Sequence, residues 1–351
     1  MKLAAIICEF NPLHTGHKIL IDYAKSIADN VVCIMSGNFT QRGLPACADK
    51  YSRAKHAIYA GADLVVELPT VFATASAENF AYGAIAIAHK LGADCLVFGS
   101  ECGDIEQLQQ CIDTIDNADT NNRIQQEVQK GVSYPKAVAL ATGLELLSHP
   151  NNVLAIEYLK AIRNIHADIT PFTLKREDNY NDEEPQLYAS SKALRTNKHL
   201  RDKFTFDYVT KDIDDNIIDR FCRIAPTFLA VATSEQLEKI EGVTEGLHNR
   251  IYNADKTKGY EHMIEEIKTK RYTRLKIQRV ILNQILGITK EVVTNVKEKQ
   301  PTTKVLAVKS SAVTLLQNIQ NETDEITLRA DRLYATLSGK TAPTKLVKID
   351  V

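Results

Sequence analysis

Apolar and polar positions switch between two periods along the first hundred residues. Leu3–Cys8 is a short unbroken apolar run, the pattern of a parallel strand buried on both faces. From His17 to Ala28 the residues Leu20, Ile21, Ala24, Ile27 and Ala28 recur at helical spacing. Val31–Met35 reads as a second strand, running into Ser36-Gly37-Asn38. The pattern then predicts a helix from about Lys50 to Ala60, a strand over Leu64–Leu68 closed by Pro69, a helix from Ser76 to Leu91 and a strand over Cys95–Phe98 ending at Gly99. The segments AGADLVVEL and LGADCLVFG repeat one device, in which Gly ends a helix in a left-handed cap and a two-residue turn feeds the next strand. Such βα units predict an α/β fold with a doubly wound, Rossmann-like parallel sheet. Ligands of these sheets sit beyond the carboxyl ends of the strands, so Glu9–His17, Ser36–Arg42, Pro69–Thr74 and Gly99–Glu101 are expected around one crevice.

From Asp104 to about Arg163 the pattern is mostly helical, with starts suggested at Tyr134-Pro135 and at Asn151-Asn152. Ile169–Leu174 is a candidate strand, Arg176–Pro185 a polar loop, and Ala189–Leu200 a helix entered through Ser190-Ser191. Beyond about residue 205 the alternation fades. Residues 212–295 look all-helical, and Lys304–Val308 offers a short strand. The expected division is therefore 1–205 for the α/β unit and 206–351 for a mostly helical one.

Composition changes this picture little. Hydrophobic residues make up 44% and charged residues 25%, ordinary for a globular protein. A formal net charge of -1 excludes a polycation, so any nucleic-acid surface must come from local segregation of charge. The cysteines Cys8, Cys33, Cys47, Cys95, Cys102, Cys111 and Cys222 are odd in number and form no C-x-x-C pair, which points to reduced thiols and a cytoplasmic setting. No stretch reaches the ~18 apolar residues of a membrane span, and the first apolar run is too short for a secretory signal.

The chemistry concentrates in Glu9-Phe10-Asn11-Pro12-Leu13-His14-Thr15-Gly16-His17, between the first strand and the first helix. Two imidazoles three positions apart at a helix start face the same way. Gly16 permits close approach to the backbone, and the helix N-terminus offers unpaired N–H groups and partial positive charge. His14 and His17 can each donate a hydrogen bond to a phosphoryl group as charge builds on it, worth ~1.5–3 kcal/mol per bond. The competing readings are core histidines or a metal pair. Metal pairs on a helix usually stand at i, i+4 with a carboxylate nearby, and the sequence shows no third ligand. Further on, Ala189-Ser190-Ser191-Lys192-Ala193-Leu194-Arg195 couples two N-capping serines with an arginine one turn later, suited to phosphate oxygens or to an ordinary capped helix.

H-x-G-H after the first strand resembles the nucleotidyltransferase superfamily of class I aminoacyl-tRNA synthetases, pantothenate synthetase and the small adenylyltransferases. The Ser190–Arg195 segment looks like that superfamily's second, phosphate-holding motif. Taken in order, Glu9–His17, Met35–Ala46, Gly61–Pro69, Phe98–Glu101, Asn151–Leu159 and Leu174–Arg176 resemble the tRNA(Met) cytidine acetate ligase family over residues 1 to about 200, and Arg271–Leu275 more loosely. Membership implies an ATP-dependent ligase. It would activate acetate as acetyl-adenylate and acetylate N4 of the wobble cytidine of elongator tRNA(Met). The resemblance places the ATP site at Ile7, Cys8, Glu9, Phe10, Asn11, Pro12, Leu13, His14, Thr15, Gly16, His17, Lys18, Ile19 and Leu20, with Gly99, Asn152 and Arg176; Asn151 competes with Asn152. Ser190, Ser191 and Arg195 join it through the second motif. The chain departs from the family's pattern at Leu44, at Lys192 and in the EDNYND stretch after Arg176.

Acetate is ionised at neutral pH and needs no base, so the site must chiefly offset repulsion between two anions. His14, His17 and Arg42 are the expected catalytic residues, with Arg176 and either Arg195 or Lys192 adding charge. Magnesium is expected on the triphosphate, with no protein metal ligands. For tRNA, the run Lys268, Lys270, Arg271, Arg274, Lys276 and Arg279 is either a phosphate-binding stripe or a solvated helix face. A small-molecule adenylyltransferase and a non-catalytic nucleotide- or RNA-binding protein are the alternative functions.

Overall fold

The two G-A-D segments show how the sheet is assembled. At Gly61 (φ +116) and Gly92 (φ +72) the helices end, and the next residue closes a helix-capping bond, Ala62 N–H to Ala57 O and Ala93 N–H to Ala88 O, both 3.0 Å. The Asp that follows then grips the strand beside it. Asp63 Oδ2 accepts the Val31 N–H at 2.8 Å, and Asp94 Oδ2 accepts the Leu3 N–H at 2.6 Å. One tripeptide thus stops a helix and sets the register of two neighbouring strands.

The computed structural model describes residues 1–132, 134–143, 145–176, 189–317, 319–340 and 346–350. The first part runs β1 (Leu3–Cys8), α1 (Thr15–Ile27), β2 (Asn30–Ser36), α2 (Lys50–Tyr59), β3 (Leu64–Leu68), the single turn α3 (Thr70–Ala73), α4 (Ala77–Lys90), β4 (Cys95–Ser100), α5 (Ile105–Asp116), α6 (Ala118–Gln129), α7 (Tyr134–Thr142), α8 (Pro150–Ile165) and β5 (Thr170–Lys175). Short helices follow: α9 (Ser191–Thr196), α10 (Lys198–Phe204), α11 (Asp207–Thr210), α12 (Ile217–Ala230), α13 (Ser234–Lys239), α14 (Leu247–Asn253), α15 (Tyr260–Ile267), α16 (Arg274–Leu286) and α17 (Lys290–Glu298). The chain ends with β6 (Val305–Lys309), α18 (Glu325–Ser338) and β7 (Val347–Ile349). The polar stretch expected as a loop after Arg176 lies outside the described residues from 177 to 188.

The sheet order is β5-β4-β1-β2-β3-β6-β7, with every pairing parallel except β3–β6. Helices cover both faces, as expected for a doubly wound α/β fold. Ala4, Ile6 and Cys8 of β1 pack with Ile21 and Ala24 of α1 and with Ala54 and Ile58 of α2. Leu3 and Ala5 face the other way, toward Ala84 and Ile85 of α4 and Ala155 and Ile156 of α8. This two-sided burial is why the strands read as unbroken apolar runs.

β6 and β7 bring the last fifty residues back to the sheet edge. Residues after 205 therefore do not all belong to a separate helical unit. β7 is only three residues long and escapes a pattern search. Lys50 of α2 latches this return: its Nζ lies 2.7 Å from Glu67 Oε2 at the end of β3 and 2.7 Å from Asp331 Oδ2 of α18, all nearly buried. Asn38 closes the group, donating to Asp331 Oδ1 at 2.9 Å and accepting the Lys50 N–H. Buried charges are tolerated when paired and hydrogen-bonded in this way.

Candidate functional site

The chain leaves β1 and turns toward β2 and β3, then crosses back to place β4 on β1's other side. The carboxyl ends of β1 and β4 thus flank the reversal of strand order, where ligands of doubly wound sheets bind. A crevice of ≈ 1020 Å³ opens there. The β1–α1 loop, Phe98 and Gly99 of β4, Gln41 and Arg42 of the β2–α2 loop, Arg176, and Ser190, Ser191, Lys192 and Arg195 line it. Residues of α7, of the start of α8 and of α16 line it as well.

His14 is the N-cap of α1, and the two histidines form a reciprocal capping pair. The Gly16 N–H donates to His14 Nδ1 at 3.1 Å, and the His14 N–H donates to His17 Nδ1 at 3.3 Å. The rings stack with centroids 3.7 Å apart at 28°, and Phe10 meets His17 edge-on at 5.0 Å. A nitrogen that accepts a backbone N–H carries no proton, so each neutral ring is protonated at Nε2. Both imidazoles therefore keep an Nε2–H to donate, and both line the crevice. Burial first, then the neighbouring histidine and Arg176, hold His14 well below the usual imidazole range. Burial and Arg176 lower His17 to about 3. Beside them the Thr15 Oγ1 is buried without a hydrogen-bond partner among the described residues.

Positive charge lines the crevice. Among the described residues, Arg42, Lys136, Arg176, Lys192, Arg195 and Arg279 line it against two carboxylates, Glu9 and Glu145. Burial lowers the guanidinium pKa of Arg42 and of Arg195, and Arg195 lowers that of Arg42 further. Cations held this close in a partly dry site favour an anionic ligand. Glu9 opposes both shifts, and its Oε1 accepts the Gln41 N–H at 2.8 Å, fixing the loop that carries Arg42.

The second motif closes on the first. Ser190 caps α9 by accepting the Ala193 N–H at 3.2 Å. Ser191 Oγ donates to Pro12 O at 3.3 Å, and Arg195 donates to Asn11 O. These contacts hold the Asn11-Pro12 turn, a cis peptide, over the head of α1.

The other expected residues separate. Asn152 is buried, does not line the crevice, and its Oδ1 accepts the Glu101 and Cys102 N–H groups at 2.9 and 3.1 Å. Asn151 does line it, with Glu101 accepting its Nδ2–H at 2.8 Å. Pro12, Leu13, Thr15, Gly16, Lys18 and Ile19 shape the loop and helix without lining the crevice, whereas Ile7, Cys8, Glu9, Phe10, Asn11 and Leu20 line it. The basic run divides too. Lys268 pairs with Glu265 at 3.1 Å, Arg271 with Glu245, and Arg274 with Glu261 at 2.6 Å; Lys276 bonds Thr244 Oγ1 at 3.0 Å, Lys270 is exposed, and Arg279 lines the crevice.

Arg53 went unnoticed in the sequence. It is 0% exposed and donates to Ala48 O at 2.9 Å, Glu9 O at 2.6 Å and Ser36 O at 3.1 Å, and to Gly37 O. It bolts together the ends of β1 and β2 beneath the site. Lys136 of α7 and the α16 wall were missed as parts of the crevice as well, because tertiary packing alone brings them there.

The model of the HIGH Nucleotidyl Transferase family matches residues 1–342. A tRNA(Met) cytidine acetate ligase of Acetivibrio thermocellus is 37% identical over 323 residues, 82% of this chain and 78% of that protein. The Staphylococcus aureus protein of the same name is 33% identical over 97% of this chain and 90% of its own length. The chain belongs to the tRNA(Met) cytidine acetate ligase family. The crystal structure of Thermotoga maritima TmcAL in apo form I shares 27% identity and a TM-score of 0.81 over 98% of this chain and 90% of that one. Form II, bound with alpha-thio ATP, matches the fold at a TM-score of 0.85 over 99% of this chain and 100% of that one, at 24% identity.

Proposed function

We propose that this chain activates acetate with ATP in the crevice above β1 and β4, then transfers the acetyl group to N4 of the wobble cytidine of elongator tRNA(Met). As a member of its family the chain is an ATP-dependent ligase acting on tRNA. The stacked His14–His17 pair carries the reading, because two neutral Nε2–H donors beside Arg176 suit a phosphoryl group that gains charge.

In the first step an acetate oxygen attacks the α-phosphorus of ATP and pyrophosphate leaves, giving acetyl-adenylate. Two anions must meet. His14, His17, Arg42, Arg176 and Arg195 offset their repulsion, and the α1 N-terminus adds to them. Ile7–Leu20, Gly99 and Arg176 shape the nucleotide site, with Asn152 behind Asn151 bracing the β4 loop. Ser190, Ser191 and Arg195 hold the Asn11-Pro12 turn in place. Magnesium would be carried by the triphosphate and would neutralise part of its charge, since the described residues offer no ligand group for it and the lining is cationic.

In the second step the cytosine amine attacks the acetyl carbonyl, AMP leaves, and the amine loses a proton to give N4-acetylcytidine. The amine is a weak nucleophile, so its position decides the rate. The base must be splayed from its stack to reach the crevice. The Lys268–Arg279 region receives the RNA, and this substrate places the protein in the cytoplasm.

ATP–pyrophosphate exchange tests the reading. Exchange should require acetate and stay near background with glycine or with no acid. Exchange that any small acid supports equally, or RNA binding with no exchange at all, contradicts it.

A further inference from the structure

Besides the loops after β1, β2 and β4 and the second motif, the crevice is lined by residues of α7 and α16. Thr273, Leu275 and Arg279 represent α16, and Leu275 is 41% exposed, an apolar side chain at the mouth. Arg279 has no hydrogen-bond or ion-pair partner among the described residues. Burial alone lowers its guanidinium pKa, whereas His14 and His17 sense Arg176, and Arg42 senses Arg195. Its charge is felt by Lys276, one turn back on α16, and not by the two imidazoles. Elsewhere in its basic run, Lys268, Arg271 and Arg274 are paired to carboxylates.

The position of Arg279 is fixed from the other side. Gly43 (φ +71), next to Arg42, meets α16 so closely that a Cβ there would lie 2.6 Å from Arg279 N and from Gln278 C. The loop of Arg42 and the backbone of Arg279 therefore keep one spacing.

We propose that Arg279 anchors the second substrate by binding a backbone phosphate of the RNA beside the cytidine that enters the crevice. This rests on the reading of tRNA as that substrate. A half-buried guanidinium with no partner among the described residues presents a fork that matches phosphate oxygens, and the exposed Leu275 offers the adjoining base an apolar surface.

The test separates the two half-reactions in Arg279→Ala and Arg279→Lys of the full chain. Arg279→Ala should raise KM for tRNA at least about tenfold, the scale of one charge-assisted contact. It should also flatten the dependence of log KM on log salt by about 0.7, the value for one phosphate of a single strand. Acetate-dependent ATP–pyrophosphate exchange should fall far less than transfer, and Arg279→Lys should recover part of the loss. Exchange that falls in parallel with transfer overturns the proposal by placing Arg279 on the triphosphate. An unchanged tRNA KM and salt slope overturns it as well. Should Arg279→Ala not fold, Arg279→Gln carries the same readouts. If wild-type protein shows no exchange, acetate activation fails by itself; the salt slope of direct tRNA binding, wild type against variant, still decides the role of Arg279.

Discussion

His14 and His17 stack 3.7 Å apart, and each ring holds a backbone N–H of the turn that joins them. A helix cap and the proposed catalytic pair are therefore one structure. Removing either ring tests both roles, and the roles separate by choice of substitution. His17→Ala should cut acetate-dependent exchange about 10²–10³-fold, the cost of one donor to developing charge, with the fold retained. His14→Asn keeps an N-cap acceptor and should melt near wild type while losing exchange comparably. His14→Ala loses the cap too and should cost about 1 kcal/mol of stability by denaturant titration. Near-normal exchange in His17→Ala removes the basis of the site.

The same pair makes stability depend on pH with a defined sign. Both imidazoles are depressed in the fold, His17 to about 3, while an unfolded histidine titrates near 6.5. Between those values the unfolded chain binds more protons, so acid favours unfolding. The histidine contribution is complete above pH ~6.5 and declines as pH falls toward 3, by up to about 1.4 kcal/mol per unit for His17 alone. Denaturant midpoints from pH 7 to pH 4 should drop less steeply in His17→Ala. Histidine nitrogen NMR should show both rings neutral and protonated at Nε2 at pH 6. A protonated Nδ1 on either ring contradicts the capping geometry.

Arg53 should matter as much as any core hydrophobe. Its removal leaves the carbonyls of Ala48, Glu9, Ser36 and Gly37 without their donor in the interior. Arg53→Met should destabilise by at least about 3 kcal/mol, since each orphaned buried acceptor costs ~1–3 kcal/mol. It should also slow exchange, because the ends of β1 and β2 carry Glu9 and Arg42. A midpoint within error of wild type would show that those carbonyls find other donors.

The legible parts of the molecule were those written in local pattern. Leu64–Leu68 stands where its apolar run puts it, and the H-x-G-H histidines sit together at the start of α1 as their spacing implies, although their mutual capping was not legible. The serines before α9 announce their cap, but not that Ser191 and Arg195 would reach Pro12 and Asn11 across some 180 positions. Arg53 lies in the unremarkable polar string DKYSRAK, where no periodicity distinguishes a buried arginine from a solvated one. β7 is too short to register, and β6 joins the sheet antiparallel after more than two hundred residues. Long-range pairing of that kind leaves no mark in a window of a dozen positions. The basic run leading into α16 was visible, yet its interleaving with Glu245, Glu261 and Glu265 required the packed structure.

The most direct measurement is nucleoside analysis of elongator tRNA(Met) after incubation with this protein, ATP and isotope-labelled acetate. The account predicts label in N4-acetylcytidine at the wobble position, dependent on ATP and lost in His17→Ala. Label that appears without ATP, or survives the loss of His17, contradicts it.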